Sequence, residues 1–198
     1  MRLKRFLDLC ITIPGLLMVM PILLLGGIWV RLDSPGPVFF SQVRVGRHGS
    51  LFNILKFRTM RMDAQGSGLK ITPECDPRIT ASGRFLRQYK LDELPQLFNI
   101  LKGEMSLVGP RPEVPEYVAL YPEELKRLVL SVPPGLTDYA SIEYRHESVL
   151  LSRAADPHTE YVEHILPAKL ALNKKYVETR SIRTDFFLIA KTILTIFN

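Results

Sequence analysis

Residues 9–30, LCITIPGLLMVMPILLLGGIWV, run for 22 positions without a charge. A helix needs about 20 apolar residues to cross the hydrocarbon core of a bilayer, so the segment meets the length. A cleaved secretory leader is the first alternative. The basic start MRLKRF suits one, but no A-x-A-like cleavage site follows and the chain runs on into WVRLDSPGP. Pro14 and Pro21 lie inside the segment, and each removes a backbone donor and crowds the preceding turn. Arg2, Lys4 and Arg5 precede it, and Arg31, Arg44, Arg47, Lys56, Arg58 and Arg61 follow. Basic flanks favour the cytoplasmic side, and here both flanks are basic. Two solutions stay open: a single span with a proline kink, which membrane helices tolerate, or a re-entrant helix that breaks near Pro21 and returns to the same face.

The rest of the 198 residues is too polar for a multi-span protein, with 23% charged residues overall. The net charge of +6 points to anionic partners. Cys10 and Cys75 are the only cysteines, which excludes a disulfide scaffold and a cysteine-based zinc site. The cluster Asp33-Ser34-Pro35-Gly36-Pro37 marks the exit from the apolar segment. The β-prone runs 38–45 and 51–57 flank Gly46-Arg47-His48-Gly49 and predict a hairpin. Residues 63–77 read as a surface loop. Leu94, Leu97, Phe98 and Leu101 follow a helical stripe that Gly103 stops. Helices are expected over 122–132 and 159–179, and a final one presents Phe186, Ile189, Ala190, Ile193, Leu194 and Phe197 on one face, to pack on the core or to lie at a membrane surface. The expected class is therefore α+β and mostly helical, with residues 1–32 as the membrane helix and 33–198 as one further domain.

The strongest chemical signal is RQYKLDELPQ at 87–96. Asp92 and Glu93 are adjacent carboxylates at the start of an amphipathic helix; Pro95 fits only a first turn, so the helix is expected to begin near Asp92. Asp92 as a plain N-cap is the bland reading. Against it, Asp92 shares a polar side with Gln96 and Asn99, and Arg87 and Lys90 lie just upstream, where cations keep a carboxylate ionised for use as a nucleophile or metal ligand. Arg111, between Pro110 and Pro112, puts a planar guanidinium on a stiff support, which suits a bidentate phosphate contact. Lys56 and Arg58 flank Phe57 and form a second candidate phosphate clamp. The four histidines lack zinc-hydrolase spacing, and no nucleophile elbow, Walker A or dinucleotide loop is present. No recognition-helix motif accounts for the charge, so nucleic-acid binding is not expected.

Taken together, LDSPGPVFFSQVRVGRHG, KFRTMRMDA, SGRFLRQYKLDELPQLFNILKGEMSLVGPRPE and PPGLT, then Tyr176-Val177 with Ser181 and Asp185, resemble the bacterial sugar transferases. These are monotopic phosphoglycosyl transferases that initiate membrane glycan assembly, and the chain is similar to their small form. The resemblance implies transfer of a phosphosugar from a UDP-sugar to a polyprenyl phosphate such as undecaprenyl phosphate, releasing UMP. It implies Asp92 as nucleophile through a covalent phosphosugar intermediate, Glu93 as its assistant in proton transfer or metal placement, and Mg²⁺ as cofactor on Asp92 and Glu93. Lys56, Arg58, Arg87 and Arg111 become candidates for the phosphates, and Asp185 matches an acidic position of the family. It also implies a re-entrant helix, a compact cytoplasmic catalytic domain with amphipathic interfacial helices at the inner membrane of a bacterium, and compatibility with homo-oligomers. Two departures stand out. Met20 precedes Pro21 where many members have Ser, and residues 138–145 read DYASIEYR rather than G-x-A-Q-V-N-G-R. The competing expectations are a non-catalytic anchor that binds sugar nucleotides, and a basic peripheral protein held by anionic lipid.

Overall fold

The computed structural model describes residues 2–62 and 76–197. The expected loop at 63–77 falls, up to residue 75, outside the described residues, as does Cys75. The fold is mostly helical with two small sheets, as expected. Helix α1 (Arg2–Asp33) leads into strands β1 (Phe39–Val45) and β2 (Leu51–Phe57), which pair antiparallel from Phe39 opposite Phe57 to Val45 opposite Leu51. The predicted hairpin is thus present, closed by a turn in which His48 is left-handed (φ 56°). Helices α2 (Ala81–Gln88) and α3 (Gln96–Lys102) follow, then β3 (Ser106–Val108). Short helices α4 (Pro115–Ala119) and α5 (Glu123–Val129) precede β4 (Gly135–Thr137). Helices α6 (Tyr139–Glu143), α7 (Glu147–Arg153), α8 (Pro157–Glu160), α9 (Leu166–Thr179) and α10 (Ile182–Phe197) complete the chain.

The second sheet is a parallel pair, with Ser106 opposite Gly135 and Val108 opposite Thr137. It was not legible from strand pattern, because three-residue strands carry too little alternation. Its spacing requires glycine: a Cβ on Gly135 would collide with the backbone of Gly109. Two apolar cores result. One joins α1, β2, α2, α3 and β3 through Leu23, Val30, Phe57, Leu86, Ile100 and Met105. The other gathers Tyr117, Val129, Leu151, Tyr161, Ile165 and Leu170 around α4, α5 and α9.

Helix α1 is helical from Arg2 to Asp33 with Pro14 and Pro21 inside it, and neither proline ends it. At about 1.5 Å per residue it is on the order of 48 Å long. It is apolar and long enough to cross a membrane. Asp8, Thr12, Leu16, Leu23, Gly26 and Val30 form one buried stripe. The opposite face is also apolar, with Leu17, Met18, Leu24 and Leu25 62–81% exposed. A helix apolar on both sides needs a second apolar medium.

Both ends of α1 are tied to the same body. At the start, Lys4 pairs with Asp185 at 2.6 Å. Arg5 donates to the last carbonyls of α3, Ile100 and Leu101, groups a helix C-terminus leaves unsatisfied. Asp8 accepts from Ser106 Oγ at 2.8 Å and from the Leu107 amide. At the other end, Asp33 accepts from the amide and hydroxyl of Ser82 at 2.8 and 2.7 Å.

Candidate active site

Thr80 caps α2 by accepting from the Gly83 amide. After Tyr89 the chain reverses at Lys90, a left-handed residue at φ 57°, and enters a 3₁₀ turn over Leu91–Glu93. Helix α3 then begins at Gln96, directly after Pro95. This corrects the expected helix start near Asp92: Asp92 does not cap an α-helix, because the reversal at Lys90 leads into a 3₁₀ turn and the α-helix starts only after Pro95. The carboxylate points into the protein instead. Asp92 is 7% exposed, and its Oδ1 has no hydrogen-bond partner.

Glu93 collects the cations. Lys56, from β2, reaches Oε1 at 3.0 Å. Arg111 grips both carboxylate oxygens in a fork, with Nη1 at 3.0 Å from Oε2 and Nη2 on Oε1. Burial pushes Glu93 upward, but Arg111 and Lys56 outweigh it and hold the carboxyl well below the ordinary range. Asp92 goes the other way. Burial, then repulsion from Glu93, raises it, and Lys56, Arg87 and Lys90 only partly offset this. Lys56 and Arg111 spend their hydrogen bonds on Glu93, so at Asp92 the cations work against burial rather than cancelling it. Burial also lowers Lys56 and Arg87, Glu93 opposing the shift at Lys56 and Asp92 at Arg87. Arg111 is half-buried, and Glu93 holds its guanidinium firmly protonated.

The structure brings Lys56, Arg87, Asp92, Glu93 and Arg111 together and leaves two predicted residues outside. Arg58 is 1% exposed and donates to Val30 O, Ser34 O, Ser34 Oγ and Pro35 O at 2.6–3.2 Å. It closes the C-terminal end of α1, so its role here is structural rather than that of a phosphate clamp. Asp185 accepts from Lys4 and, at 2.8 Å, from Tyr176 Oη, and so pins the start of α1 to α9 and α10. The polar side of α3 is interior. Asn99 accepts from the Leu55 amide at 3.0 Å and donates to Asn53 O at 2.8 Å, stitching α3 to β2. Gln96 is fully buried with both amide atoms unpartnered.

Sequence reasoning missed a second charged layer behind Arg111. Glu113 meets Arg44, Tyr161 and Lys169, and Lys169 also meets Glu147. A signal existed: Lys169 and Asn173 sit in the buried stripe Ile165, Leu166, Lys169, Leu170, Asn173, Tyr176 and Val177, where a lysine needs a buried partner. The variant stretch at 138–145 borders this layer. Asp138 caps α6 through Ser141 at 2.6–2.7 Å; burial raises it, and Arg111 is among the charges it feels.

Among the described residues, no group of three or more His, Cys, Asp or Glu side chains is arranged to hold a metal. Mg²⁺ commonly takes only one or two carboxylates and completes its shell with water and substrate phosphate. The buried, unpartnered Oδ1 of Asp92 beside Glu93 fits that donor set.

The chain is 35% identical over 201 residues to the UDP-glucose:undecaprenyl-phosphate glucose-1-phosphate transferase of Caulobacter vibrioides, covering 96% of this chain and 68% of that protein. It is 33% identical over 196 residues to the UDP-N-acetylgalactosamine-undecaprenyl-phosphate N-acetylgalactosaminephosphotransferase of Aeromonas hydrophila, covering 98% of this chain and 43% of that protein. It is 37% identical to the undecaprenyl-phosphate glucose phosphotransferase of Komagataeibacter xylinus, of which it spans 35% of the length. The chain thus spans well under half of two of these three relatives. The family model described as bacterial sugar transferase matches residues 1–198, with the carboxylate pair, the paired cations and the membrane-type helix all inside the match, and the chain belongs to that family.

Proposed function

We propose that this protein transfers a phosphosugar from a UDP-sugar to a polyprenyl phosphate such as undecaprenyl phosphate, through a covalent intermediate on Asp92. The observation that carries the reading is the division of labour within the carboxylate pair. Glu93 is locked to Lys56 and Arg111, whereas Asp92 keeps a buried oxygen with no partner. An oxygen free of hydrogen bonds and desolvated is a stronger nucleophile than a solvated one. Asp92 attacks the sugar-linked phosphorus, a new carboxylate–phosphorus bond forms, and the phosphorus–oxygen bond to UMP breaks. An oxygen of the polyprenyl phosphate then attacks the same phosphorus, releasing Asp92 and giving the polyprenyl diphosphate-sugar.

Attack by an anion on a diphosphate requires fixed positive charge. Arg111 and Lys56, both bonded to Glu93, supply it, and Arg87 adds to it through its interaction with Asp92. Asp92 and Glu93 would hold Mg²⁺, which when bound supplies further neutralisation of the donor's diphosphate. Splitting the transfer into two steps lets a water-soluble donor and a lipid acceptor use the site in turn.

The bilayer placement follows the same logic. We read α1 as monotopic, with both ends on the catalytic domain's side, the cytoplasmic face of a bacterial inner membrane. The polar anchors of Lys4, Arg5 and Asp8 at one end and of Asp33 at the other support this, because a helix whose start lay across the bilayer could not make the first set. The test is UMP release on incubation of the purified protein with a panel of UDP-sugars, Mg²⁺ and undecaprenyl phosphate. Release confined to one or a few donors is the expected result. Donor binding without release would instead establish a sugar-nucleotide-binding anchor.

A further inference from the structure

We propose that Lys169 is a positioning residue for Arg111, acting through Glu113, and that the buried layer of Lys169, Glu113, Tyr161, Glu147 and Arg44 sets the geometry of the reaction centre from behind. The inference rests on the reading of Asp92 and Glu93 as that centre.

Lys169 lies on α9, far in sequence from the carboxylate pair, with a side chain only 8% exposed. Its Nζ is 3.3 Å from Glu113 Oε1, 3.0 Å from Glu147 Oε2 and 3.2 Å from Tyr161 Oη. Tyr161 in turn donates to Glu113 Oε1 at 2.6 Å. The other oxygen of Glu113 faces Arg44 Nη1 at 3.4 Å, and that same nitrogen donates to the Pro112 carbonyl at 3.2 Å. The Glu113 carbonyl accepts from the Val45 amide at 2.9 Å, and the Pro110 carbonyl from the Gly135 amide at 2.9 Å. The backbone is therefore pinned before Arg111, at Pro110, and after it, at Pro112 and Glu113. Two of those pins depend on β1, and Glu113's side chain depends on α9.

A buried lysine among two carboxylates is costly to place, and nothing in the apolar packing of α9 demands one. Its charge has a consequence at Arg111. Glu113, two residues beyond Arg111 on the same backbone, and Glu147, which shares Lys169 with it, are rival carboxylates for the Arg111 guanidinium, which must instead fork onto Glu93. Lys169 neutralises those two rival carboxylates and leaves Arg111 to Glu93. With Lys169 gone, the rivals draw Arg111 backward and the clamp on Glu93 loosens.

The test measures UMP release in detergent, with kcat expressed per folded molecule from a thermal melt. Lys169→Met is expected to lower kcat at least tenfold while raising KM for the UDP-sugar less than threefold, as misplacement of a group acting on the transition state does. Lys169→Arg is expected to recover most of kcat. In an Arg111→Lys background, Lys169→Met is expected to cost less than twofold more, because coupled residues are not additive. Should Lys169→Met not fold, Tyr161→Phe carries the test: it removes one hydroxyl, keeps the ring, and is expected to lower kcat several-fold, again without effect in the Arg111→Lys background. Wild-type kcat per folded molecule, or full additivity with Arg111→Lys, overturns the proposal. Asp92→Asn is assayed alongside. Undiminished UMP release by that variant would condemn the reading of the centre itself, a result distinct from failure at Lys169.

Discussion

Asp92 and Glu93 are neighbours in sequence with opposite electrostatic fates, and each fate has a measurable consequence. Asp92 is raised by burial and by Glu93. A raised carboxyl favours the fold below its unfolded pKa and loses that contribution as pH rises through the folded value. Asp92→Asn is therefore expected to abolish UMP release, by at least about a thousandfold, while raising the melting temperature by a few degrees at pH 7–8 in EDTA. The gain should vanish toward pH 3.8, the ordinary aspartate value, and a lower melting temperature at pH 7 would contradict the burial of an unpaired carboxylate. Glu93 is depressed, so it stabilises above the ordinary glutamate value of 4.5 and that contribution is lost as pH falls through its lower folded value. Glu93→Gln leaves Arg111 and Lys56 without a counter-charge. It is expected to lower activity at least about a hundredfold and to lower stability at pH 7, with the stability difference shrinking in acid.

At the scale of elements, the catalytic turn is held by its neighbours rather than by its own helix propensity. Asn99 fastens α3 to β2, and so sets the turn that leads into α3, with Glu93 on it, against Lys56 on β2. Arg58 belongs to this level too. Arg58→Met removes a buried donor set from the C-terminal carbonyls of α1, and is expected to cost about 2–4 kcal/mol in chemical denaturation while leaving kcat per folded molecule near wild type. A loss of kcat as deep as that of Arg111→Ala would return Arg58 to the phosphate site. Gly135→Ala should be more damaging to the fold than either, because the parallel pair of β3 and β4 has no room for a methyl group.

At the scale of the whole molecule, α1 offers one stripe to the domain and an apolar face away from it, near a C-terminal helix whose Phe186, Phe187, Ile193 and Leu194 are 50–66% exposed. A membrane-facing surface built from both helices predicts retention on membranes through high-salt washing, since apolar burial is not screened by ions. In a variant with Cys10 and Cys75 replaced by serine, cysteines introduced at Leu3 and Leu32 should both react with an impermeant thiol reagent only from the cytoplasmic side. Reaction of the first from outside would exclude the monotopic arrangement. Much of this was legible in the chain. The long uncharged segment, the hairpin around Gly46–Gly49, the Asp92-Glu93 pair and Arg111 between prolines are local patterns, set by composition, period and turn chemistry over a few residues. Other assignments were not local. Lys56 and Arg58 lie two residues apart on one motif, yet only Lys56 meets Glu93, because β2 ends at Phe57 and Arg58, just past the strand, turns its guanidinium onto the end of α1. The same holds for Lys169 and Glu113, which come together from positions 56 apart. Sequence by itself determined which groups are chemically able; tertiary packing decided which of them are close, buried and charged, because Coulomb energy and desolvation depend on distance and surroundings that no local pattern encodes.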